Sequence, residues 1–161
     1  SQKSMLEIER KFAVKSTTFL ANAKESYKIT QGYLNTDKNR TVRVRIKGSK
    51  GFITVKGISS ADGLSRFEWE KEIDVKDAEA LLLLCEDFVI DKTRYLIPFD
   101  AVVFEVDVFE GSNKGLVIAE VELESADQQF DKPDWLGEEL TGDERFYNAY
   151  LSNVPFTSWN R

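Results

Sequence analysis

The sequence predicts an α+β fold, mainly antiparallel β, with peripheral helices and about eight strands, enough to close or nearly close a β-barrel. Charged and apolar side chains alternate along many short segments, as in strands with two different faces. Turn residues separate these segments, and few stretches have helical character. A chain of 161 residues, 42% of them hydrophobic, can bury one sizeable core. We therefore expect a single domain over residues 5–155, with residues 1–4 a cloning remnant or a short N-terminal extension.

The first half of the chain contains most of the predicted strands. Strands are expected over residues 5–14, 29–34, 41–47, 52–56 and 66–73, with a short helix over 16–23. The segment Gly48-Ser49-Lys50-Gly51 is a turn signal, so the strands on either side of it should form a hairpin.

The second half should alternate helices with the remaining strands. A helix is expected over 77–85, because acidic residues at its start suit the positive end of the helix dipole. Strands should follow over 88–97, 101–109 and 116–124, and a polar helical segment over 135–151 should close the fold. The apolar strand faces, including Phe67 and Trp69, need cover, so helices should pack on that side of the sheet.

Composition excludes several classes of function. The net charge of −6 and the pI near 4.9 argue against binding to nucleic acid polymers or anionic membranes. The longest apolar run, residues 80–85, is too short to span a bilayer, so a cytoplasmic protein is expected. With no histidine and only Cys85 as cysteine, the chain cannot build a Ser-His-Asp or Cys-His site, or a Cys/His zinc site. A catalytic site in this chain would therefore have to use carboxylates, lysine, tyrosine or a bound metal ion.

Acidic and basic side chains share one face of the predicted sheet. Glu7, Glu9 and Lys11 fall on every second residue of the first strand, and other strands continue the pattern. On any single strand such a face could simply be solvated. If the sheet curls around this face, however, its charges need counter-charges or a ligand. Rows of Arg and Lys match phosphate oxygens, whereas clustered glutamates match Mg²⁺ or Mn²⁺, so a metal-bound polyphosphate is indicated.

Motifs along nearly the whole chain resemble one family. The first is Glu-x-Glu-x-Lys at Glu7, Glu9 and Lys11. The others are Gln31-Gly32-Tyr33-Leu34, Arg43-Val44-Arg45, Lys56, Glu68-Trp69-Glu70, Lys92-Thr93-Arg94-Tyr95, residues 104–109, residues 120–124, residues 135–137 and residues 141–148. In order and spacing the sequence resembles the CYTH proteins, or triphosphate tunnel metalloenzymes, and most closely their compact bacterial members. The family includes class IV adenylate cyclases, thiamine triphosphatases and inorganic triphosphatases.

The resemblance implies a closed eight-stranded antiparallel β-barrel tunnel with a charged interior, and a role for each matched residue. Metal ligands would be Glu7, Glu9, Glu120 and Glu122. The triphosphate would be bound by Lys11, Arg43, Arg45, Lys56, Lys92, Arg94 and Arg145. Within these sets, the catalytic residues would be Glu9, Lys11, Glu122, Arg45 and Arg94. Glu68, Glu70, Asp107 and Glu124 would hold the basic residues or order metal-bound water. Tyr33 would either point into the tunnel or be a core tyrosine.

The leading functional hypothesis is hydrolysis of inorganic tripolyphosphate to pyrophosphate and phosphate by metal-assisted attack of water, with Mg²⁺ or Mn²⁺ as cofactor. Cyclisation of ATP to cyclic AMP, and hydrolysis of thiamine or nucleoside triphosphates, are alternatives within the enzyme class. A non-catalytic polyphosphate binder is a third class. The partner would be a small triphosphate, and apolar residues near the C-terminus, such as Phe156 and Trp159, suggest a possible homodimer.

Overall fold

The computed structural model describes residues 5–159, so residues 1–4, interpreted above as a remnant or extension, lie outside it. This part of the chain contains nine strands and two α-helices. In chain order they are β1 (Leu6–Val14), β2 (Glu25–Asn35), β3 (Arg40–Lys47), β4 (Lys50–Ser59), β5 (Ser65–Ile73), α1 (Val75–Leu82), β6 (Glu86–Phe99), β7 (Val102–Phe109), β8 (Val117–Glu122), β9 (Leu136–Glu139) and α2 (Asn148–Asn153).

Eight of the strands close into an antiparallel barrel, which confirms the predicted fold. They follow the order β5-β4-β3-β2-β6-β7-β8-β1, and β1 returns to pair with β5. Leu6 lies opposite Phe67 and Ile8 opposite Ser65 at this closure. The expected hairpin is β3–β4, with Gly48 at a φ of 59° in its turn, a backbone conformation that glycine adopts without steric cost.

The helix predicted over 135–151 is wrong. Its first residues form β9, which pairs with the β1 edge beyond the point where β5 leaves it. The backbone of Gly137 passes so close to β1 that a Cβ there would lie 3.0 Å from the carbonyl oxygen of Ala13. Gly142, at a φ of 83°, then turns the chain, and helical structure resumes only in a short 3₁₀ turn, Glu144–Phe146, and in α2. Two glycines and a nonlocal pairing thus override the helical pattern.

The other two predicted helices, expected over 16–23 and 77–85, are present with altered limits. The segment after β1 forms a 3₁₀ helix, Thr18–Asn22. Helix α1 begins earlier than expected because the side chain of Asp74 accepts a hydrogen bond from the Lys76 N–H as an N-cap. No helix in the range 5–159 has the length and apolar character needed to cross a membrane.

The prediction that helices would cover the whole apolar outer face is wrong for Phe67 and Trp69. Helix α1 packs on β3 and β4, where Ala78 is buried against Gly51. Phe67 and Trp69, on β5, are 46% and 38% exposed. With eight residues, α1 is only about 12 Å long, and its main contacts are with β2, β3 and β4 and not with β5.

Two apolar clusters flank the charged part of the barrel. One lies on the outer side of β1, β7 and β8, where Phe12, Phe104 and Val121 pack beneath Phe130 and Trp135. The other includes Ile90, Phe109 and Ile118, which share strand faces with charged interior residues, and Leu151 of α2. This second cluster fills one end of the barrel, so α2 forms the floor of the charged interior.

The aromatic residues near the C-terminus belong to this second cluster. Phe156 and Trp159 pack against one another with ring centroids 5.1 Å apart, and Trp159 also meets Phe146 at 5.5 Å. They are partly buried within the chain itself. The suggested homodimer therefore loses the feature that prompted it, although it stays a prediction.

Candidate active site

The barrel interior contains a cavity of about 250 Å³ whose lining is almost entirely polar and charged. Its walls come from the inward-facing residues of β1 to β8, and Tyr147, Asn148 and Ala149 line it from the α2 end. Its charged lining consists of seven carboxylates, Glu7, Glu9, Glu68, Glu70, Glu105, Glu120 and Glu122, and seven cations, Lys11, Arg43, Arg45, Lys47, Lys56, Arg66 and Arg94.

The four predicted metal ligands lie together on the adjacent strands β1 and β8. Glu9 is directly opposite Glu122 in the strand register, and a hydrogen bond joins the carboxyl groups of Glu9 and Glu120. Burial, together with the charges of Glu120 and Glu7, raises the pKa of Glu9 well above its ordinary value. Burial also opposes ionisation of Glu120, but nearby Lys11, Arg94 and Lys92 outweigh it and lower the pKa of that carboxyl. These opposite pKa shifts favour Glu9 over Glu120 as the carboxyl group that carries the shared proton.

Basic side chains of β4 and β3 contact this carboxylate row and the glutamates of β5, the other strand that pairs with β1. The ammonium of Lys56 donates to Glu7 at 2.9 Å and lies 3.7 Å from Glu68. Burial disfavours the charge on Glu7, yet Lys56 more than offsets it and lowers the pKa of Glu7. Arg43 similarly lies 3.5 Å from Glu70. Glu68 and Glu70 are thus positioned to hold basic residues, as the resemblance implies.

Two neighbouring arginines line the cavity from β3, and one of them, Arg43, has a buried donor available to an anion. Arg43 donates from Nη2 to Thr54, but its buried Nε has no hydrogen-bond partner within residues 5–159. Arg45 is buried, and this burial, with Arg43 and Arg94 nearby, lowers the pKa of its guanidinium to about 9. Buried donors without a partner are costly, so an anion that accepts from them would be bound favourably.

A third basic group lies behind the cavity wall. Asp107 accepts two hydrogen bonds from Arg94, at 2.8 and 2.9 Å, and lies 2.7 Å from the Lys92 ammonium. Lys92 is completely buried. Burial, with help from Arg94 and Arg45, outweighs the attraction of Asp107 and lowers the pKa of Lys92 to about 7. Arg94 reaches the cavity from this group, while Lys92 and Asp107 are not part of its lining.

Of the other predicted site residues, one lines the cavity and two lie outside it. Tyr33 is 5% exposed and lines the cavity, so it is both a core residue and a wall residue. Arg145 lies outside, where its exposed guanidinium forms two hydrogen bonds with Asp143. Glu124 follows the end of β8, is exposed and is also outside the cavity. The roles of all these residues stay predictions.

The donor set fits a hard divalent cation. Residues 5–159 contain no group of three or more His, Cys, Asp or Glu side chains arranged to hold a metal ion by themselves. Mg²⁺, however, is usually bound by one or two carboxylates, water and substrate phosphates rather than by a complete protein cage. The hydrogen-bonded carboxyl groups of Glu9 and Glu120 could supply such ligands once both were deprotonated.

Several lining residues were absent from the predicted set. Glu105 lies 3.3 Å from Arg94, and Arg66 donates to the Gly57 carbonyl at 2.8 Å. Both share strand faces with predicted residues, so the two-residue period could have identified them. Tyr147 and Asn148 follow no such period, because they lie at the start of α2. Only the strand closure and the docking of α2 bring them to the cavity.

Relatives in two bacteria match nearly the whole chain. The "Inorganic triphosphatase" of Acetivibrio thermocellus is 46% identical over 154 residues, covering 95% of this chain and 97% of the relative. That of Nitrosomonas europaea is 42% identical over 157 residues, covering 94% and 100%. A solved structure, "the inorganic triphosphatase NE1496", superposes with a TM-score of 0.66 at 37% identity and covers 91% of this chain and 93% of that one.

The family assignment rests on more than these relatives. The sequence model of the CYTH domain matches residues 5–148, which include every strand and the first residue of α2. The family resemblance seen in the sequence motifs is therefore confirmed, and this chain belongs to the CYTH family.

Proposed function

We propose that this protein hydrolyses inorganic tripolyphosphate to pyrophosphate and phosphate in a reaction that depends on a divalent cation. The observation that carries the proposal is the equal number of carboxylates and cations, seven of each, around one small cavity. A balanced lining would not select a polyanion alone. A divalent cation on the carboxylates would leave the cationic residues in excess, so metal and triphosphate would favour each other's binding.

The size of the cavity supports an inorganic substrate. Pockets for drug-sized ligands have volumes of about 300–1,000 Å³ and mainly apolar linings. A charged cavity of about 250 Å³ suits a compact polyphosphate better than a molecule with a nucleobase. The two bacterial relatives that carry the name inorganic triphosphatase support the same substrate.

In the proposed reaction, water attacks the terminal phosphorus and the bond from that phosphorus to its bridging oxygen breaks. Glu7, Glu9, Glu120 and Glu122 would hold the cation, which would offset negative charge on the phosphoryl oxygens. Lys11, Arg45 and Arg94 would bind those oxygens and stabilise the additional charge in the transition state. Glu122 would accept the proton from water, because it is exposed at the rim of the carboxylate row. Arg43 and Lys56 would position the rest of the chain of phosphates.

A second candidate substrate is a nucleoside triphosphate. A neighbouring hollow of about 240 Å³ shares Ser59, Gly63, Arg66 and Tyr147 with the main cavity. It is less polar than the main cavity and includes Ile58 and Ala61. A nucleoside could lie there while its phosphates entered the charged cavity, which would permit either ATP hydrolysis or cyclisation.

A parallel turnover assay separates these possibilities. Phosphate release is measured with tripolyphosphate, ATP and thiamine triphosphate, each with Mg²⁺, with Mn²⁺ and with EDTA. We expect tripolyphosphate to give the highest kcat/KM and EDTA to abolish turnover. Cyclic AMP as the main product from ATP, or a higher kcat/KM for ATP, would overturn the proposed substrate. Binding of tripolyphosphate without turnover under every condition would indicate a non-catalytic binder.

A further inference from the structure

A continuous series of hydrogen bonds runs beneath the cavity and joins two of its arginines. The Nε of Arg45 donates to Gln31 Oε1 at 2.8 Å, and Gln31 Nε2 donates to Asn148 Oδ1 at 3.1 Å. Lys92 donates to the same Asn148 oxygen at 3.0 Å. Lys92 then contacts Asp107, which binds Arg94. Asn148, the first residue of α2, thus connects this helix to Gln31 of β2 and to Lys92 of β6.

The chemistry of these groups fixes their orientation. An arginine side chain can only donate, so the Gln31 oxygen must face Arg45. The Gln31 amide nitrogen then donates to the Asn148 oxygen, which also accepts from Lys92. Gln31, which is completely buried, then has its amide nitrogen directed to Asn148. A flip of either amide would set a donor against a donor. One arrangement therefore satisfies all four side chains.

We propose that Asn148 is a positioning residue, which fixes Arg45 through Gln31 and fixes Lys92 directly. Helix α2 would then set the geometry of the triphosphate clamp, by which we mean the basic residues expected to bind the triphosphate. The inference rests on the proposed function only for its kinetic consequence. Neither strand period nor charge would assign a neutral residue of α2 to the clamp. Yet displacement of a charged group by about 1 Å can cost a hundredfold in rate, and Asn148 holds two such groups.

A kinetic comparison of two α2 variants tests the consequence. Asn148→Ala should lower kcat/KM for tripolyphosphate about 10- to 100-fold. Ser152→Ala is the control in the same helix, because Ser152 is a completely buried polar residue of α2 whose hydroxyl donates to the Ala149 carbonyl within the helix instead of joining the series. Its kcat/KM should stay within about twofold of wild type. Adding Gln31→Ala to Asn148→Ala should lower kcat/KM little further, since Asn148 acts on Arg45 through Gln31.

A measurement on the free protein tests the network without turnover. In a ¹⁵N–¹H spectrum, the Arg45 Nε–H signal, identified by its absence in Arg45→Lys, should exchange slowly with water. Asn148→Ala should accelerate that exchange at least about tenfold, whereas Ser152→Ala should not. Asn148→Asp keeps an oxygen that can accept both bonds, so it should keep the signal protected even if its added charge lowers activity.

The outcomes separate this inference from the proposed function. If wild type does not hydrolyse tripolyphosphate, the proposed function fails, and the exchange measurement still decides whether Asn148 fixes Arg45. Unchanged Arg45 exchange in Asn148→Ala would overturn the inference. Wild-type kcat/KM in that variant, or independent effects of the Gln31 and Asn148 changes, would overturn it as well.

Discussion

Lys11 lies directly opposite Glu120 on the paired strands β1 and β8, and its ammonium is 3.7 Å from that carboxylate. The next inward-facing pair on these strands is Glu9 and Glu122. Proposed metal ligands and a proposed phosphate ligand therefore alternate on one pair of strands instead of occupying separate walls. A cation and a triphosphate bound here would share oxygens, so each should depend on residues assigned to the other.

Glu9→Gln should abolish cation-dependent turnover and stabilise the protein in the absence of a cation. The pKa of Glu9 is raised in the folded state, so folding retains a proton that the unfolded chain releases near pH 4.5. Stability from this group is complete below that pH and is lost as pH rises through the raised folded pKa. Glutamine is neutral at every pH, like protonated glutamate, so the variant should not lose this stability.

Thermal unfolding with EDTA and with Mg²⁺ tests this prediction. At pH 7 in EDTA, Glu9→Gln should have the higher Tm, with about 2–4 °C for each kcal/mol gained. Added Mg²⁺ should raise the Tm of wild type more than that of the variant, because a carboxylate ligand is missing. A variant less stable than wild type in EDTA would contradict the proposed protonation of Glu9.

Arg43→Lys should weaken catalysis although it keeps the positive charge. The buried Nε of Arg43, which has no partner among the described residues, is the donor that lysine lacks. One hydrogen bond to a charged group contributes about 1.5–3 kcal/mol, so kcat/KM for tripolyphosphate should fall about 10- to 100-fold. Arg40→Lys is the control on the same strand, because Arg40 pairs with Asp37 at the exposed outer side. Equal kinetics for the two variants would remove Arg43 from the clamp.

The sequence could predict the barrel walls because strands have a fixed period. Once Glu9 and Lys11 were assigned to one face, every second residue of β1 followed, and the same held for Arg43 and Arg45 on β3. The closure of eight strands then placed these faces around one interior. The two-residue period predicts which face of the sheet a side chain lies on, however, and not how far along the barrel axis it lies. Lys92 shares a face with Arg94 but lies one step nearer α2, behind the cavity wall.

The remaining elements depend on contacts between distant parts of the chain. Strand β9 forms because Leu136 is buried in the outer cluster and its neighbours pair with β1, which no local pattern records. The segment that contains Arg145 matches the family motif, yet a bend in the chain pairs this arginine with Asp143 outside the cavity. Asn148 reaches the interior only because α2 fills the end of the barrel.

The stability of the wild-type protein should increase above pH 7, and Lys92→Met should remove this increase. The folded pKa of Lys92 is about 7, below its ordinary value of 10.5, so above pH 7 the unfolded chain binds the proton more strongly. Stability from this group should therefore rise with pH between 7 and 10.5, by at most about 1.4 kcal/mol per pH unit. Denaturant unfolding at pH 7, 8 and 9 should show a flatter profile in the variant. Lys28→Met, at an exposed surface pair with Glu110, is the control. Equal slopes would mean that Lys92 stays charged beside Asp107.

Gly63→Ala should destabilise the rim of the cavity. Gly63 has a φ of 77°, and a Cβ there would overlap the Cα of Gly142, so two loops would have to separate. Gly111→Ala provides the matched control, because Gly111 has a similar φ of 62° but a Cβ added to it would meet no atom within 4 Å. Both variants should lose roughly 1–2 kcal/mol to backbone strain, and Gly63→Ala should lose about 1 kcal/mol more.

The same pair of variants links this loop contact to the substrate. Gly63 lines both the charged cavity and the neighbouring hollow, whereas Gly111 lines neither. Separation of the loops at Gly63 would widen the entrance, so the KM for tripolyphosphate should rise severalfold in Gly63→Ala and stay unchanged in Gly111→Ala. Chemical denaturation measures the stability difference and steady-state kinetics the difference in KM. Equal losses of stability in the two variants would show that the Gly63–Gly142 contact yields without cost, and the entrance would then be set by other residues.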